Sequence, residues 1–320
     1  MPTGLASSPP HVTRVAIVTT SYPRDDDDAS GHFVRAEVDQ LRRAGATVEV
    51  FVPRGPAFGW PGVAARLRER PWRATGVPFE MARMARALRA AGRFDRTIAH
   101  FVVPSALLAL SAKHRGGLEL VSHGGDVRLL VALPGAVRRY AVRAMLQHAQ
   151  LWRFPSEALL GDLASALGHE ERRALGTIAR VVPPPFEMPE IPARGSQGPR
   201  NLPASPPPCS ILWVCAARLI PSKRIDRAIE HAAAHGARLV VVGDGPEQAR
   251  LQRLARARGA DVHFVGRKPR SETLAWIASA DALVHASEAE GLSTVVREAE
   301  ALGTPVIDLS FTPIICQGGT

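Results

Sequence analysis

The sequence has no apolar stretch long enough to cross a membrane and no cysteine spacing typical of a disulfide framework or a zinc site. Its longest mostly apolar stretch, residues 101–112, is interrupted by Pro104 and falls short of the roughly 20 residues that a membrane helix needs. The first ten residues lack the basic and apolar regions of a secretory signal. The three cysteines are an odd set without CxxC spacing. We therefore expect a cytoplasmic protein without a metal site.

Two common phosphate-binding motifs, GxGxxG and GxxxxGK[ST], are also absent, which counts against NAD-dependent enzymes and P-loop kinases. Lysine is scarce, with only Lys113, Lys223 and Lys268, so the formal net charge of +10 comes almost entirely from arginine. This excess has two interpretations. It reflects either the codon usage of a GC-rich genome or an anionic partner, such as a phosphorylated ligand, an acidic lipid surface or nucleic acid.

The chain does contain a repeated alternation of strand and helix patterns. It has 320 residues, of which 46% are hydrophobic and 22% charged, so we expect a globular protein of about two domains. In residues 14–52 an apolar strand, a polar loop, an amphipathic helix and a second strand predict a βαβ unit. The alternation resumes near residue 211 and continues to Ile307. The predicted fold class is α/β, with two tandem Rossmann-like domains.

A proline-rich segment, residues 183–208, predicts a linker because proline disfavours both helix interiors and central strands. We therefore predict a disordered N-terminus at 1–13, an N-terminal domain at 14–182 and a C-terminal domain at 209–320. Two such domains leave a cleft at the carboxyl ends of their strands, where open α/β sheets bind ligands.

Two cations follow the first strand of the second domain. Arg218 and Lys223 lie in the loop "ARLIPSKRID", just before a predicted helix. Cations together with the free N–H groups of a helix N-terminus can bind a diphosphate. The alternative is a solvated basic loop in which Ser222 caps the helix. Further on, "GDGPE" at 243–247 predicts a tight turn, with Asp244 as a turn or capping residue.

Two carboxylates lie in the stretch "EAEGLSTVVREAEALGTPVI", residues 288–307. Glu290 precedes the predicted helix and Glu298 lies inside it. Ionised carboxylates accept paired hydrogen bonds, and vicinal sugar hydroxyls supply two donors. The amides of residues 291–294 could face a phosphate. The alternative is that Glu298 only stabilises the N-terminus of its own helix.

The first domain contains a histidine beside two glycines, in "HGGDV" after an apolar strand. His123 in this loop can approach a substrate and donate or accept a hydrogen bond near neutral pH. The alternative is that His123 has a purely structural role, with its hydrogen bonds made within the fold. The same alternative applies to His100, at the end of the preceding strand.

The order of these segments resembles the retaining glycosyltransferases of family 4. "EGLSTVVREAEALGTPVI" is similar to the E-x7-E signature of that family. "RLIPSKRID", "VVVGDGPE", "VHFVG" and "ALVHAS" resemble the segments that precede the signature, in the same order. "SYPRDDDDASGHFVRAEVDQLRRAGATVEVFVP" and "SHGGDV" resemble the acceptor-side domain. The resemblance covers about residues 14–307.

The resemblance implies a GT-B fold and transfer of a sugar from a UDP- or GDP-sugar to an acceptor, with retention and without a metal ion or other cofactor. Catalytic roles would fall to His123 and Glu290, which would contact the reaction centre and the transferred sugar. The implied donor-binding residues are Gly31, Arg218, Lys223, Ser293, Thr294 and Glu298. Past Ile307 the family pattern is lost, so we expect the second domain to be incomplete.

Other functions remain open at this point. A sugar-nucleotide epimerase or hydrolase would use the same fold, and a non-catalytic remnant could bind lipid or nucleotide. The acceptor is unknown, with lipid-linked and polysaccharide-precursor acceptors as candidates. Residues 66–96 interleave arginines with apolar residues and could lie on an anionic membrane, or form a solvated helix face. We expect a cytoplasmic protein, peripheral on the inner membrane face, with no nucleic-acid partner.

Overall fold

The structure is a computed structural model that describes residues 12–24, 31–58, 63–110, 113–114, 117–186, 188, 211–288 and 293–310. By internal contacts the chain divides into two compact units. Unit 1 contains the residues up to Tyr22 together with Phe33–Gly55 and Gly76–Pro185. Unit 2 contains Pro23–His32, Pro56–Thr75 and the residues from Phe186 onward.

The sheet of unit 1 contains six described strands, all parallel, in the order β2-β1-β4-β6-β7-β8. The elements as far as residue 181 are, in chain order, β1 (Arg14–Val18), α1 (His32–Arg43), β2 (Thr47–Phe51), α2 (Val63–Glu69), a 3₁₀ helix (Pro71–Thr75), α3 (Gly76–Ala90), β3 (Arg93–Phe94), β4 (Arg96–His100), α4 (Val102–Ala109), β5 (Lys113–His114), β6 (Leu118–Val121), α5 (Gly125–Ala132), α6 (Gly135–His148), β7 (Ala149–Phe154), α7 (Glu157–Ser165), α8 (His169–Ile178) and β8 (Ala179–Val181). Short strands β3 and β5 pair with each other.

Strand β1 shows why this sheet is buried on both faces. Val15 and Ile17 pack into one apolar cluster, whereas Ala16 and Val18 pack into another. Side chains alternate along a strand, so an uninterrupted apolar run supplies both clusters at once. The same run is what predicts a parallel strand from the sequence.

Unit 2 contains a second parallel sheet, with five described strands in the order β11-β10-β9-β12-β13. It also includes α2 and the 3₁₀ helix Pro71–Thr75. From residue 212 onward its elements are β9 (Leu212–Ala216), a 3₁₀ helix (Pro221–Lys223), α9 (Ile225–His235), β10 (Arg238–Val242), α10 (Gln248–Ala257), β11 (Val262–Gly266), α11 (Arg270–Ser279), β12 (Ala282–His285), α12 (Thr294–Ala301) and β13 (Val306–Asp308). The two parallel sheets with their helices confirm the predicted α/β class.

The run "RTIAHFVV" changes from strand to helix. The strand ends at His100, as predicted, Phe101 adopts a left-handed conformation with φ 57°, and α4 begins at Val102. The Val102 N–H donates to the buried carboxylate of Asp126, at 2.9 Å. A contact from α5 thus holds the start of α4, in which Val103 has a non-helical backbone.

Helix α10 begins at Gln248, directly after the "GDGPE" turn, with Glu247 as its N-cap. Residues 128–180, for which no elements were predicted, contain most of α5, then α6, β7, α7 and α8, and the start of β8. Among the helices that the structure describes, none combines the length and the apolar character needed to cross a membrane.

Candidate functional site

The strand order of unit 2 predicts where a ligand would bind. Strand β9 has β10 on one side and β12 on the other, so the chain runs one way from β9 to β11 and the other way from β12 to β13. Open parallel sheets bind ligands at such a reversal, outside the carboxyl ends of the two central strands. The loops that follow β9 and β12, together with helix α12, contain six of the eight predicted site residues.

The loop after β9 contains both predicted cations. Arg218 and Lys223 are half-buried, and Lys223 ends a 3₁₀ turn directly before α9. The charge of Lys223 reaches the neighbouring strand end, since it adds to burial in lowering the pKa of His285. Helix α9 begins at Ile225, as predicted, but its N-cap is Arg224 and not Ser222.

Arg224 joins this loop to the loop after β12. Its backbone is left-handed, with φ 48°, and its guanidinium contacts Asp226 at 3.1 Å and also Glu288. The backbone N–H of Glu288 donates to the carbonyl of Ser222, at 3.1 Å. A non-glycine residue in this conformation costs of the order of 1 kcal/mol, which these contacts offset. The two loops thus have a fixed relation to each other.

Two glycines of "GDGPE" pack against the cation-bearing loop backbone to backbone. A Cβ on Gly243 would lie 2.0 Å from the carbonyl oxygen of Ala217, and one on Gly245 would lie 2.5 Å from that of Leu219. The Leu219 N–H donates to the carbonyl of Asp244, at 2.9 Å. Only glycine permits this approach, so the motif fixes the path of the loop that contains Arg218.

Glu298 pairs with a residue that the sequence analysis did not identify. It lies on α12 with only 6% of its surface exposed, and its Oε1 accepts from Nε and from a terminal nitrogen of Arg270, both at 3.0 Å. Burial raises the pKa of Glu298, and the adjacent Arg270 opposes that rise. Glu298 therefore does more than stabilise its own helix, and one of its oxygens is already occupied by a cation.

The remaining predicted residues of this region are placed only in part. Ser293 is the N-cap of α12 and Thr294 its first residue, and both are half-buried. Glu290 lies outside the described residues, so its role remains a prediction. Within the described ranges no three His, Cys, Asp or Glu side chains cluster as a metal site would require.

Two predicted residues precede or follow elements of the first α/β sheet. Gly31 directly precedes α1, is buried, and has φ 70°, a conformation that strongly favours glycine. His123 follows β6 and is partly exposed. Its ring contacts two phenylalanines, with ring centroids 4.6 Å from Phe33 and 4.5 Å from Phe101.

His123 is hydrogen-bonded to His100, the second histidine that the sequence analysis considered. Nε2 of His123 lies 3.1 Å from Nδ1 of His100, and the rings are nearly parallel. Burial lowers the pKa of His100 to about 3, with the charge of Arg153 adding to the effect. The pKa of His123 is also well below its ordinary value, because of burial and then the nearby His100 and Arg153. Both rings are therefore neutral at physiological pH.

Two carboxylates surround this histidine pair. Oε2 of Glu37, on α1, lies 3.6 Å from Nε2 of His100, while Oε1 of Glu37 binds Arg153 at 2.6 Å. Asp126 accepts the backbone N–H of His123 at 2.9 Å and so fixes the loop that carries it. The loop position of His123 thus depends on a buried carboxylate of α5.

Sequence reasoning missed Glu37, Arg153, Asp126 and Arg270. Asp126 carried a signal, because it lies three residues after His123 in the quoted motif and opens a helix. The others carried none that a local pattern could detect: Arg270 and Glu298 are 28 positions apart, and Glu37 and Arg153 are 116 apart.

Comparison with known proteins agrees with this geometry. Residues 207–315 match the family described as Glycosyl transferases group 1. The chain is 30% identical to a GDP-mannose-dependent alpha-mannosyltransferase of Mycobacterium tuberculosis, over 92% of this chain and 78% of the relative. It is 29% identical to a GDP-mannose-dependent monoacylated alpha-(1-6)-phosphatidylinositol monomannoside mannosyltransferase of Corynebacterium glutamicum, over 64% of this chain and 55% of the relative.

The fold also matches solved structures. Sucrose-phosphate synthase from Thermosynechococcus elongatus superimposes with a TM-score of 0.68 at 21% identity, covering 92% of this chain and 81% of that structure. At this identity the likeness shows the fold alone, which is GT-B. The family match over residues 207–315 and the 30% identity over most of the mycobacterial relative show that the chain belongs to the group 1 glycosyltransferases.

Proposed function

We propose that this glycosyltransferase transfers mannose from GDP-mannose to an acceptor and forms an α-linkage with retention of configuration. The observation that carries the proposal is the pairing of a cation-bearing loop and a carboxylate-bearing helix at the strand reversal of unit 2. Both relatives described above support the donor, since their names specify GDP-mannose. Mannose is α-linked in GDP-mannose, so an α-product implies retention.

In this proposal each loop has a separate role. Arg218 and Lys223 neutralise the diphosphate, which gains charge as the bond to the sugar breaks. Cations placed where charge develops stabilise the transition state more than the ground state. Oε2 of Glu298 accepts hydrogen bonds from the ribose hydroxyls while Arg270 holds Oε1. Because two side-chain cations stabilise the leaving group, we propose that no metal ion is needed.

We propose roles for the remaining predicted residues as well. Ser293 and Thr294 open α12 and would present N–H groups to a phosphate. We propose the same for the backbone of Gly31, and contacts with the transferred sugar for Glu290 and His123.

Donor binding can be tested by thermal unfolding with GDP-mannose, GDP, UDP and UDP-glucose. A ligand that binds only the folded state raises the melting temperature, and a concentration of 100 Kd stabilises by about 2.7 kcal/mol. We expect the largest shift with the guanine nucleotides. No shift with any nucleoside diphosphate would contradict the proposal, and a shift confined to UDP ligands would replace the proposed donor.

A matched pair of variants tests the role of Glu298. Glu298→Ala removes the buried carboxylate, whereas Glu300→Ala removes an exposed one two residues further along the same helix. Hydrogen bonds to charged groups contribute about 1.5–3 kcal/mol each, so we expect Glu298→Ala to weaken GDP binding at least about tenfold. Glu300→Ala should bind GDP as the unmodified chain does.

For the acceptor we propose a lipid-linked sugar at an anionic membrane surface, on the cytoplasmic side. The corynebacterial relative is named for a phosphatidylinositol mannoside acceptor. Trp72 and Phe79, in the arginine-rich stretch 66–96, are 65% and 70% exposed. Exposed aromatic rings among arginines favour an anionic bilayer surface.

Co-sedimentation with vesicles of phosphatidylglycerol and phosphatidylcholine tests the membrane proposal. We expect binding at low salt that weakens at moderate salt, and a lower bound fraction for Trp72→Ala and Phe79→Ala. Tyr140→Ala, at another exposed aromatic residue with 79% of its surface accessible, serves as the control. Absence of binding at low salt would remove the membrane surface from the proposal. Mannose transfer to a phosphatidylinositol mannoside, with the product linkage read by NMR, then tests acceptor and retention together.

A further inference from the structure

His100 and His123 share a single hydrogen bond, so the proton position on one ring determines the proton position on the other. Nδ1 of His100 lies 3.1 Å from Nε2 of His123. A neutral imidazole has one N–H and one bare nitrogen. Two neutral rings joined through these nitrogens therefore have two arrangements: either His100 donates from Nδ1 or His123 donates from Nε2.

Glu37 distinguishes the two arrangements. His100 is only 1% exposed, and its Nε2 has no hydrogen-bond partner among the residues that the structure describes. Oε2 of Glu37 lies 3.6 Å from this nitrogen, and Arg153 holds the other oxygen of the same carboxylate at 2.6 Å. A carboxylate attracts an N–H and repels a lone pair, so the proton of His100 belongs on Nε2. Its Nδ1 is then bare and must accept.

We propose that Glu37 and His100 are positioning residues that hold His123 in the tautomer protonated on Nε2. In this tautomer Nδ1 of His123 is a hydrogen-bond acceptor. Each ring carries one proton, so the arrangement is balanced without a further donor. In this way the charge of Glu37 determines the tautomer of His100, and His100 determines the tautomer of His123.

The bare nitrogen has no partner of its own among the described residues. His123 is partly exposed as a residue, and the described part of the chain supplies no hydrogen-bond partner for its Nδ1. Phe33 and Phe101 restrict the orientation of the ring. An acceptor in a fixed direction selects a ligand group that donates, which for a sugar is a hydroxyl. This last step rests on the proposed function, in which His123 contacts the transferred sugar.

The tautomer can be read directly from the ¹⁵N-labelled full chain without any ligand. Long-range ¹⁵N–¹H correlation spectra distinguish the two neutral tautomers, because protonated and bare ring nitrogens resonate far apart. The signal of His123 is assigned by its loss in His123→Gln. We expect the proton on Nε2, and a proton on Nδ1 would overturn the proposal.

Two variants test the positioning chain. Glu37→Gln removes the charge next to His100, and His100→Asn replaces the ring with an amide that can either donate or accept. We expect each folded variant to show His123 as a mixture of tautomers. His148→Gln, at an exposed histidine of unit 1, should leave the His123 signal unchanged. An unchanged His123 tautomer in His100→Asn would refute the proposal even if Glu37→Gln fails to fold.

Kinetics separate positioning from mere structural support. In His100→Asn we expect kcat with GDP-mannose to fall at least about tenfold with little change in donor KM, as occurs when a group that orients a functional histidine is lost. A rise in KM with unchanged kcat would contradict the positioning role. If the unmodified chain transfers no mannose from GDP-mannose, the proposed function fails, while the ligand-free spectrum still decides the tautomer.

Discussion

Replacement of His100 by asparagine should make the protein less sensitive to acid. In the folded state burial holds the pKa of His100 at about 3, whereas a histidine in the unfolded chain has a pKa near 6.5. Below about pH 6.5, His100 therefore binds a proton in the unfolded chain but not in the folded chain. The stability that depends on neutral His100 is complete above pH 6.5 and is lost as the pH falls toward 3.

The magnitude follows from this pKa difference. Each pH unit between the two pKa values lowers the free energy of unfolding by about 1.4 kcal/mol per group. His100 alone therefore lowers it by about 2 kcal/mol between pH 6.5 and pH 5. His123 acts in the same direction, because burial lowers its pKa too. The unmodified protein should therefore lose stability in acid through two groups, and the His100→Asn variant through one.

The difference in acid-induced stability loss can be measured by urea unfolding at pH 7.5 and pH 5.0. The unfolding is followed by circular dichroism, and the transitions of the two units are fitted separately. The asparagine variant loses a hydrogen bond at both pH values, so the quantity of interest is the change in free energy of unfolding between them. We expect that change to be about 2 kcal/mol smaller in His100→Asn than in the unmodified protein. His148→Gln, at an exposed histidine, should show the full loss. Equal losses in all three proteins would show that His100 titrates normally in the folded state.

Three further outcomes are expected in unit 2. Arg270→Gln should raise the pKa of Glu298 further, because it removes the cation that opposes the effect of burial. As the pH is lowered, GDP binding should therefore be lost at a higher pH in this variant than in the unmodified protein. An unchanged midpoint of the pH dependence of GDP binding would contradict this. Gly243→Ala should destabilise unit 2 by more than about 2 kcal/mol in urea unfolding, since the added Cβ would lie 2.0 Å from a backbone carbonyl oxygen. Gly161→Ala, in a helix where a Cβ would meet no atom within 4 Å, should be neutral or slightly stabilising. Burial raises the pKa of Cys215 to about 12. In a variant whose other two cysteines are replaced, Cys215 should therefore react with a thiol reagent only when the protein unfolds. Rapid labelling of the native protein would show instead that Cys215 is accessible.

Local sequence patterns predicted the elements of unit 2 closely. Helix α9 begins and ends at the predicted residues, and β11 coincides with the run "VHFVG". These patterns are reliable because each depends on side-chain periodicity within a few residues. A contact from a distant element is not predictable in this way, as with the Asp126 carboxylate that accepts the Val102 N–H.

The candidate site divides in the same way. The sequence by itself indicated which side chains follow strand ends or lie on the next helix, and so it predicted Arg218, Lys223, His123 and Glu298 as candidates. It could not predict that Arg270 holds Glu298 or that His100 holds His123, because sheet order and helix packing bring these distant residues together.

The sequence therefore determined the α/β class, the succession of elements and the chemistry of the loops, since periodicity and turn residues act locally. Only the tertiary structure decided which charges are buried and which partner each has. Burial removes solvent from a carboxylate or an imidazole, and its protonation then depends on the nearest group in space, wherever that group lies in the chain.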